Sequence, residues 1–261
     1  MNEENLRQKL FVKEVKADKS EEVKETQVLS EHFLTIRVNG YELYTLNCTK
    51  ADLKELCIGI LFDEGLISGF GDIAKISLER EESLADIRLN KELIFDEPKE
   101  EYSIEEKDIL LFDQGFKRLK DVRSLKALVS PGLEKEWVFN LAEKFAEDTR
   151  LHSFTSGTHS CMLARSKEVL YNVEDIGRQN AIDKVIGLGV RDGVSFDECI
   201  LFSSGRVPLQ MVRKVIMAGI PVLVSKSVPT RESVELAGRY GLTLICRAFT
   251  DSYQVFMESL K

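Results

Sequence analysis

The sequence predicts an α/β protein, in which a C-terminal domain of parallel strands and crossover helices follows a smaller α+β domain. Three observations predict it. From Glu198 onward, short apolar runs and helical stretches alternate: Glu198–Phe202, Gln210–Met217, Ile220–Ser225, Arg231–Tyr240 and Leu242–Cys246. Strand–helix–strand units with loops this short close as right-handed crossovers between parallel strands. Nearer the N-terminus, Phe33–Val38 and Tyr41–Leu46 flank Asn39-Gly40. Asn-Gly accepts the positive φ of a type I′ turn, so this pair reads as an antiparallel hairpin. Between the two regions, Ser130-Pro131-Gly132 is the strongest break in the chain. The resulting division is an arm over residues 1–25, an α+β domain over 26–130 and an α/β domain over 131–261.

The elements follow in order. Residues 1–25 mix lysine and glutamate with few apolar side chains and read as a mobile or loosely docked arm. After the hairpin, Thr49-Lys-Ala-Asp52 is a near capping box, with Asp in place of Glu. Leu53, Leu56, Cys57, Ile60 and Leu61 then recur at helical spacing, and Gly65 ends the helix. Strands are expected at Ile73–Leu78 and Ala85–Leu89, around the acidic turn Glu79–Glu82. The stretch Glu100–Val129 is the least periodic, and Trp137–Asp148 reads as a helix with Val138, Leu141, Ala142 and Phe145 on one side. In the C-terminal domain Pro208 suits the first helical position, Gly219 closes that helix, Thr230 caps the next and Gly241 ends it.

Composition bounds the function. The chain has 261 residues, 43% hydrophobic and 31% charged, with a net charge of -8. That length accommodates a sizeable core. A general grip on nucleic acid needs a basic surplus or stripe, and the sequence has neither. No run approaches the ~20 apolar residues of a membrane helix. The charged N-terminal stretch has no apolar h-region, and a cytoplasmic location is expected. The five cysteines, Cys48, Cys57, Cys161, Cys199 and Cys246, are odd in number and never form C-x-x-C. Free thiols are expected, with Cys57, Cys199 and Cys246 in apolar runs of the core.

The chemistry concentrates at the carboxyl ends of the parallel strands, where open α/β sheets bind ligands. Ser203-Ser204-Gly205-Arg206 precedes a helix whose free N–H groups suit an anion, and Arg206 adds a guanidinium. Ser227–Thr230 repeats the arrangement, and Arg247–Ser252 follows the last strand. Each loop alone also reads as ordinary helix capping; together they point to a nucleotide or phosphorylated ligand. Neither glycine-rich phosphate fingerprint occurs.

Upstream, Thr155-Ser-Gly-Thr-His159-Ser-Cys161 places one of three histidines two residues from a thiol. Glu174-Asp175-Ile-Gly-Arg178 opens a helix either as a capping device, with Asp175 paired to Arg178, or as a ligand-facing set. Asn180, Asp183 and Lys184 extend a polar face, and for the last two a solvated face suffices. A zinc deaminase requires H-x-E and P-C-x-x-C, which are absent, and no metal site is expected.

These residues resemble a known family. Glu174-Asp-Ile-Gly-Arg-Gln-Asn-Ala-Ile-Asp-Lys-Val-Ile-Gly187 is similar to the E-D-V-G-R-H-N-A-x-D-K-x-x-G signature of the FdhD/NarQ family of formate dehydrogenase accessory sulfurtransferases. Thr155–His159, Ser204-Gly205-Arg206 with Met211 and Lys214, Gly219–Ser225, Pro229-Thr230 and Leu242–Leu244 extend the likeness, as does Lys50–Ile67. The resemblance implies a cytidine-deaminase-like three-layer α/β/α C-terminal domain without the zinc site. It implies a bound molybdenum bis(guanine dinucleotide) cofactor, or a GDP-like nucleotide, held as a client. The implied contacts are His159, Glu174, Asp175, Arg178, Asn180, Ser204, Gly205, Arg206, Ser225 and Thr230, with Arg247, Ala248, Phe249, Thr250, Asp251 and Ser252 of the last loop. Implied partners are a cysteine desulfurase, formate dehydrogenase and a second copy in a homodimer. The family's persulfide-bearing C-x-x-C loop falls on Phe112–Phe116, which holds no cysteine. Cys161, with His159, is then the remaining catalytic candidate, and a homologue that binds the cofactor without transferring sulfur is the alternative.

Overall fold

Side-chain alternation sets the N-terminal sheet. Leu34, Ile36 and Val38 are buried on β3 (His32–Val38), which pairs antiparallel with β4 (Tyr41–Cys48) around Asn39 and Gly40, both at positive φ as the turn requires. The computed structural model describes residues 6–93, 125–129, 132–147 and 150–259. The break at Ser130-Pro131 and the segment Phe112–Phe116 therefore lie outside the described residues. β5 (Ile73–Glu79) and β6 (Leu84–Leu89) complete a sheet of order β4-β3-β6-β5, in which β3 and β6 run parallel.

Residues 7–25 of the expected arm carry regular structure, which continues to Leu29. β1 (Arg7–Val15) and β2 (Glu21–Leu29) form an antiparallel ribbon. The mixed lysines and glutamates are cross-strand partners, among them Lys9–Glu25 and Lys13–Glu21 at 2.8 Å. Opposite charges facing across a ladder support pairing, and composition alone hides that register.

The second sheet has the order β12-β11-β10-β9-β7-β8. β9 (Cys199–Ser203), β10 (Val222–Ser225) and β11 (Thr243–Cys246) run parallel, as the repeat predicts. The hairpin of β7 (His159–Arg165) and β8 (Glu168–Asp175) flanks them on one side, and β12 (Gln254–Met257) forms the opposite edge. α4 (Arg178–Arg191), α5 (Leu209–Ala218) and α6 (Arg231–Tyr240) pack on one face; α2 (Lys135–Glu147) covers the other with Val138, Leu141, Ala142 and Phe145. The protein is a mixed α/β structure. A short helix, α3 (Arg150–Thr155), leads into β7.

The two sheets share one core through α4 and the N-terminal helix α1 (Leu53–Asp63). Their axes approach at glycines: a Cβ on Gly59 would overlap the Asp183 carbonyl, and one on Gly187 the Glu55 carbonyl. Glycine is required here for backbone proximity, since both residues are helical.

Buried charge fills the rest of this seam. Lys184 Nζ lies 2.6 Å from Asp175 Oδ2, with both side chains wholly inaccessible. Lys214 lies 2.8 Å from Asp63 and 2.6 Å from Asp183, and Arg213 reaches Asp63 at 3.4 Å. The solvated face expected for Asp183 and Lys184 is thus overturned, because α1 and α5 cover the helix that carries them. Thr49 also differs from expectation. It does not cap α1; its N–H and Oγ1 donate to Asp175 Oδ2 at 3.0 and 2.9 Å, and Lys184 donates to its Oγ1 at 2.8 Å. Burial pushes the Asp183 carboxyl up to about 7 despite Lys214. Burial alone would lower Lys214, but the two facing carboxylates hold it protonated.

Candidate functional site

The carboxyl edge of the second sheet is assembled by backbone clasps. Ser160 N–H donates to Ser204 Oγ and Ser204 N–H to the Ser160 carbonyl, both at 3.0 Å, so the loop after β9 is held against the start of β7. Lys226 N–H reaches Ser203 O at 3.1 Å, Ala248 N–H reaches Ser225 O at 3.0 Å and Arg247 N–H reaches Ser227 O at 3.0 Å. Three strand-end loops are thereby joined in a row, as the parallel order dictates.

Arg178, the first residue of α4, lies across Gly205; a Cβ there would stand 3.1 Å from Arg178 Cδ. Arg178, Arg206 and His152 all act on the His159 imidazole, whose ladder partner is Asp175. Burial pushes the His159 pKa below its usual 6.5, and Arg178, His152 and Arg206 push in the same direction against Asp175. Among the described residues no hydrogen bond or ion pair engages the side chain of His159, Arg178 or Arg206, and Arg178 Nε is buried without a partner. Gln179 likewise has both amide atoms buried and unpartnered.

The remaining named residues have their polar atoms occupied internally. Glu174 accepts from Leu151 N–H at 2.6 Å, His152 N–H at 2.9 Å and Thr158 Oγ1 at 3.0 Å. It therefore anchors the start of α3 and the loop ahead of His159. Asp175 Oδ1 accepts from Gly177 N–H and Asn180 Nδ2, each at 2.8 Å, while Oδ2 serves Thr49 and Lys184. Its ion-pair partner is accordingly Lys184 rather than Arg178. Asn180 also donates to Asn47 O at 2.7 Å. Ser225 Oγ donates to Gly205 O at 2.7 Å, and Thr230 caps α6 by accepting from Ser233 N–H.

In the last loop Ala248 is buried, while Arg247, Phe249, Thr250, Asp251 and Ser252 are exposed at the edge. Phe249 N–H bonds back to Ser252 O at 2.8 Å. Lys226, which the motifs did not single out, stands beside this loop with its ammonium 5.1 Å from the Phe145 ring centre, and burial lowers its pKa. Its position between two serines at a strand end was the available signal.

Cys161, the catalytic candidate named with His159, is enclosed by the fold. It lies within β7 with no exposed surface, and burial pushes its thiol well up. All five cysteines are buried free thiols; burial raises Cys199 to about 11 and Cys48 and Cys246 to about 12. Thiolate chemistry needs an exposed, low-pKa sulfur, and none of these sites supplies one.

The FdhD/NarQ family model matches residues 29–261. This chain belongs to the FdhD/NarQ family. It is 33% identical over 227 residues to the sulfur carrier protein FdhD of Halalkalibacterium halodurans, covering 84% of this chain and 82% of the relative. It is 30% identical over 235 residues to the sulfur carrier protein FdhD of Listeria innocua, covering 85% of each. The crystal structure of a formate dehydrogenase accessory protein from Desulfotalea psychrophila is similar, with a TM-score of 0.79, 22% identity and 96% of both chains covered. The family match begins at the end of β2, so the signature helix α4 and the whole carboxyl edge lie inside it. Among the described residues, no helix is long and apolar enough to cross a membrane.

Proposed function

We propose that this FdhD/NarQ protein is an accessory factor for formate dehydrogenase maturation, and that it binds the guanine-dinucleotide form of the molybdenum cofactor at the carboxyl edge. One observation carries the reading: in a chain of net charge -8, the side chains of Arg178, Arg206 and His159 lie at this edge with no hydrogen-bond or ion-pair partner among the described residues. Guanidinium groups beside clasped loop amides suit a diphosphate. The exposed Phe249 ring offers a face to a base. In this reading Glu174, Asp175, Asn180, Ser225 and Thr230 shape the site, and Arg178, Arg206, His159 and Arg247 touch the ligand. Calorimetry with GDP tests it: saturable binding by the native protein, lost in Arg178→Ala, is the expected result. Absence of GDP binding overturns it.

The burial of every thiol favours the form of this reading in which the protein handles the cofactor without carrying sulfur on its own cysteines. Incubation with a cysteine desulfurase should leave the native chain free of the ~32 Da mass gain of a persulfide. Restoration of formate dehydrogenase activity in a deletion strain by a Cys161→Ala variant would agree with it. A persulfide on any native cysteine would instead restore the sulfurtransferase reading. The partners proposed with it are formate dehydrogenase, a cysteine desulfurase and a second copy of the chain, the last testable by sedimentation.

A further inference from the structure

We infer that Gly205 is a positioning residue: it seats the aliphatic stem of Arg178, and acts on a bound anion through that arginine rather than by touching the ligand. The inference rests on the proposed anion site and assigns what holds one of its guanidinium groups in place.

Glycine is present at this position for space. Gly205 does not have a positive φ, so backbone freedom does not account for it. A Cβ built there would have three nearest neighbours, and all three belong to Arg178: Cδ at 3.1 Å, Cβ at 3.2 Å and Cγ at 3.7 Å. The first two lie inside the ~3.5–4.0 Å of optimal carbon–carbon contact. Neither wall of the contact is free to retreat. Gly205 N–H donates to Ser203 Oγ at 3.2 Å, and Gly205 O accepts from Ser225 Oγ at 2.7 Å. Ser204, its neighbour, is clasped to Ser160 in both directions at 3.0 Å. On the other side Arg178 is the first residue of α4. The turn before it is fixed by Asp175 Oδ1, which accepts from Gly177 N–H and Asn180 Nδ2 at 2.8 Å. A methyl group on residue 205 would therefore push the arginine stem outward and carry the guanidinium with it.

Burial makes the role indirect. Gly205 is buried, whereas Arg206, the next residue, is exposed. Both backbone polar groups of Gly205 are occupied by serine hydroxyls, so neither is left for a ligand. Arg178 differs: its Nε is buried with no hydrogen-bond partner among the described residues. A guanidinium grips a phosphate through two parallel N–H bonds, and that grip depends on where the fork is held.

The test is calorimetry of the full chain with GDP, native and Gly205→Ala, joined to two readouts that need no ligand. Gly205→Ala should weaken GDP binding by ~3-fold or more. The Nε–H resonance of Arg178, assigned by its disappearance in Arg178→Ala, should shift in ligand-free Gly205→Ala. Any melting temperature lost in Gly205→Ala should be regained in the double variant Gly205→Ala, Arg178→Ala, where the methyl meets no stem. If Gly205→Ala does not fold, Ser225→Ala frees the Gly205 carbonyl without adding an atom, and the same loss of affinity and the same shift are expected. Weakened binding with the Arg178 resonance unmoved would make Gly205 a direct contact; that result, or unchanged affinity, overturns this inference and leaves the anion site standing. Absence of GDP binding by the native protein overturns both.

Discussion

The seam between the two sheets and the carboxyl edge of the second sheet are built from the same kinds of side chain, used in opposite ways. In the seam every buried charge has a counter-charge: Asp175 with Lys184, and Asp63 and Asp183 with Lys214 and Arg213. At the edge, the side chains of Arg178 and Arg206 have no ion-pair partner among the described residues, and Asp175, the ladder partner of His159, is engaged by Lys184. Burial of a charge is tolerable only with a partner. The seam supplies the partner from within the chain; under the proposed function, the edge leaves it to a ligand. The comparison therefore separates residues that hold the fold from residues proposed to meet an anion, and the signature between Glu174 and Gly187 contributes to both, with Asp175 and Lys184 in the first set and Arg178 in the second.

Mutations break the two regions differently. Gly187→Leu should have the largest effect, because even its Cβ would overlap the Glu55 backbone and the two helices would have to part; a loss of at least ~3 kcal/mol in chemical denaturation is expected. Lys184→Met should follow, at ~3–5 kcal/mol, since it strands the fully buried Asp175. Arg178→Ala should behave in the opposite sense. Stability should change by less than ~1 kcal/mol, while GDP affinity should fall ~10-fold or more, as loss of a charged hydrogen bond predicts. A thermal shift for Arg178→Ala as large as that of Lys184→Met would remove the distinction.

Thiol accessibility gives a further separation. A chromogenic disulfide reagent should find none of the five cysteines in the native protein and all five in denaturant. Rapid native labelling of any one of them would reopen sulfur transfer.

The pH profiles sharpen the contrast most finely. His159 is lowered in the fold, so its contribution to stability is complete above 6.5 and is lost as pH falls through the lower folded value. Asp183 is raised, so its contribution is complete below the ordinary 3.8 and is lost as pH rises toward about 7. His159→Gln should flatten the acid-side loss, and Asp183→Asn the loss between those two values, each followed by melting temperature in the absence of ligand. If the two substitutions changed the profile in the same direction, the assigned environments would be wrong.

Much of the architecture is legible in local chemistry. Asn39-Gly40 dictates its turn, Gly219 and Gly241 end their helices at positive φ, and Thr230 caps α6. Short strand–helix repeats dictate the parallel order of β9, β10 and β11. These features depend on a few neighbouring residues, and a sequence states neighbours directly. The ribbon of β1 and β2 escaped notice because its stability rests on register between residues up to 22 apart, such as Arg7 and Leu29.

The sequence by itself determined the family, the α/β class and the set of polar residues from which any site must be drawn. Only the tertiary structure decided which of them have partners. Glu174 and Asp175 are adjacent acids in the chain, yet one anchors α3 and the other the seam, because successive strand residues point to opposite sides. Asp183 and Lys184 appear as a solvated pair until α1 and α5 cover them. Cys161 appears close to His159 and therefore reactive until β8 and β9 enclose its strand. Pairing and burial are set by contacts across more than a hundred residues, as between Thr49 and Asp175, and those distances do not exist until the chain folds.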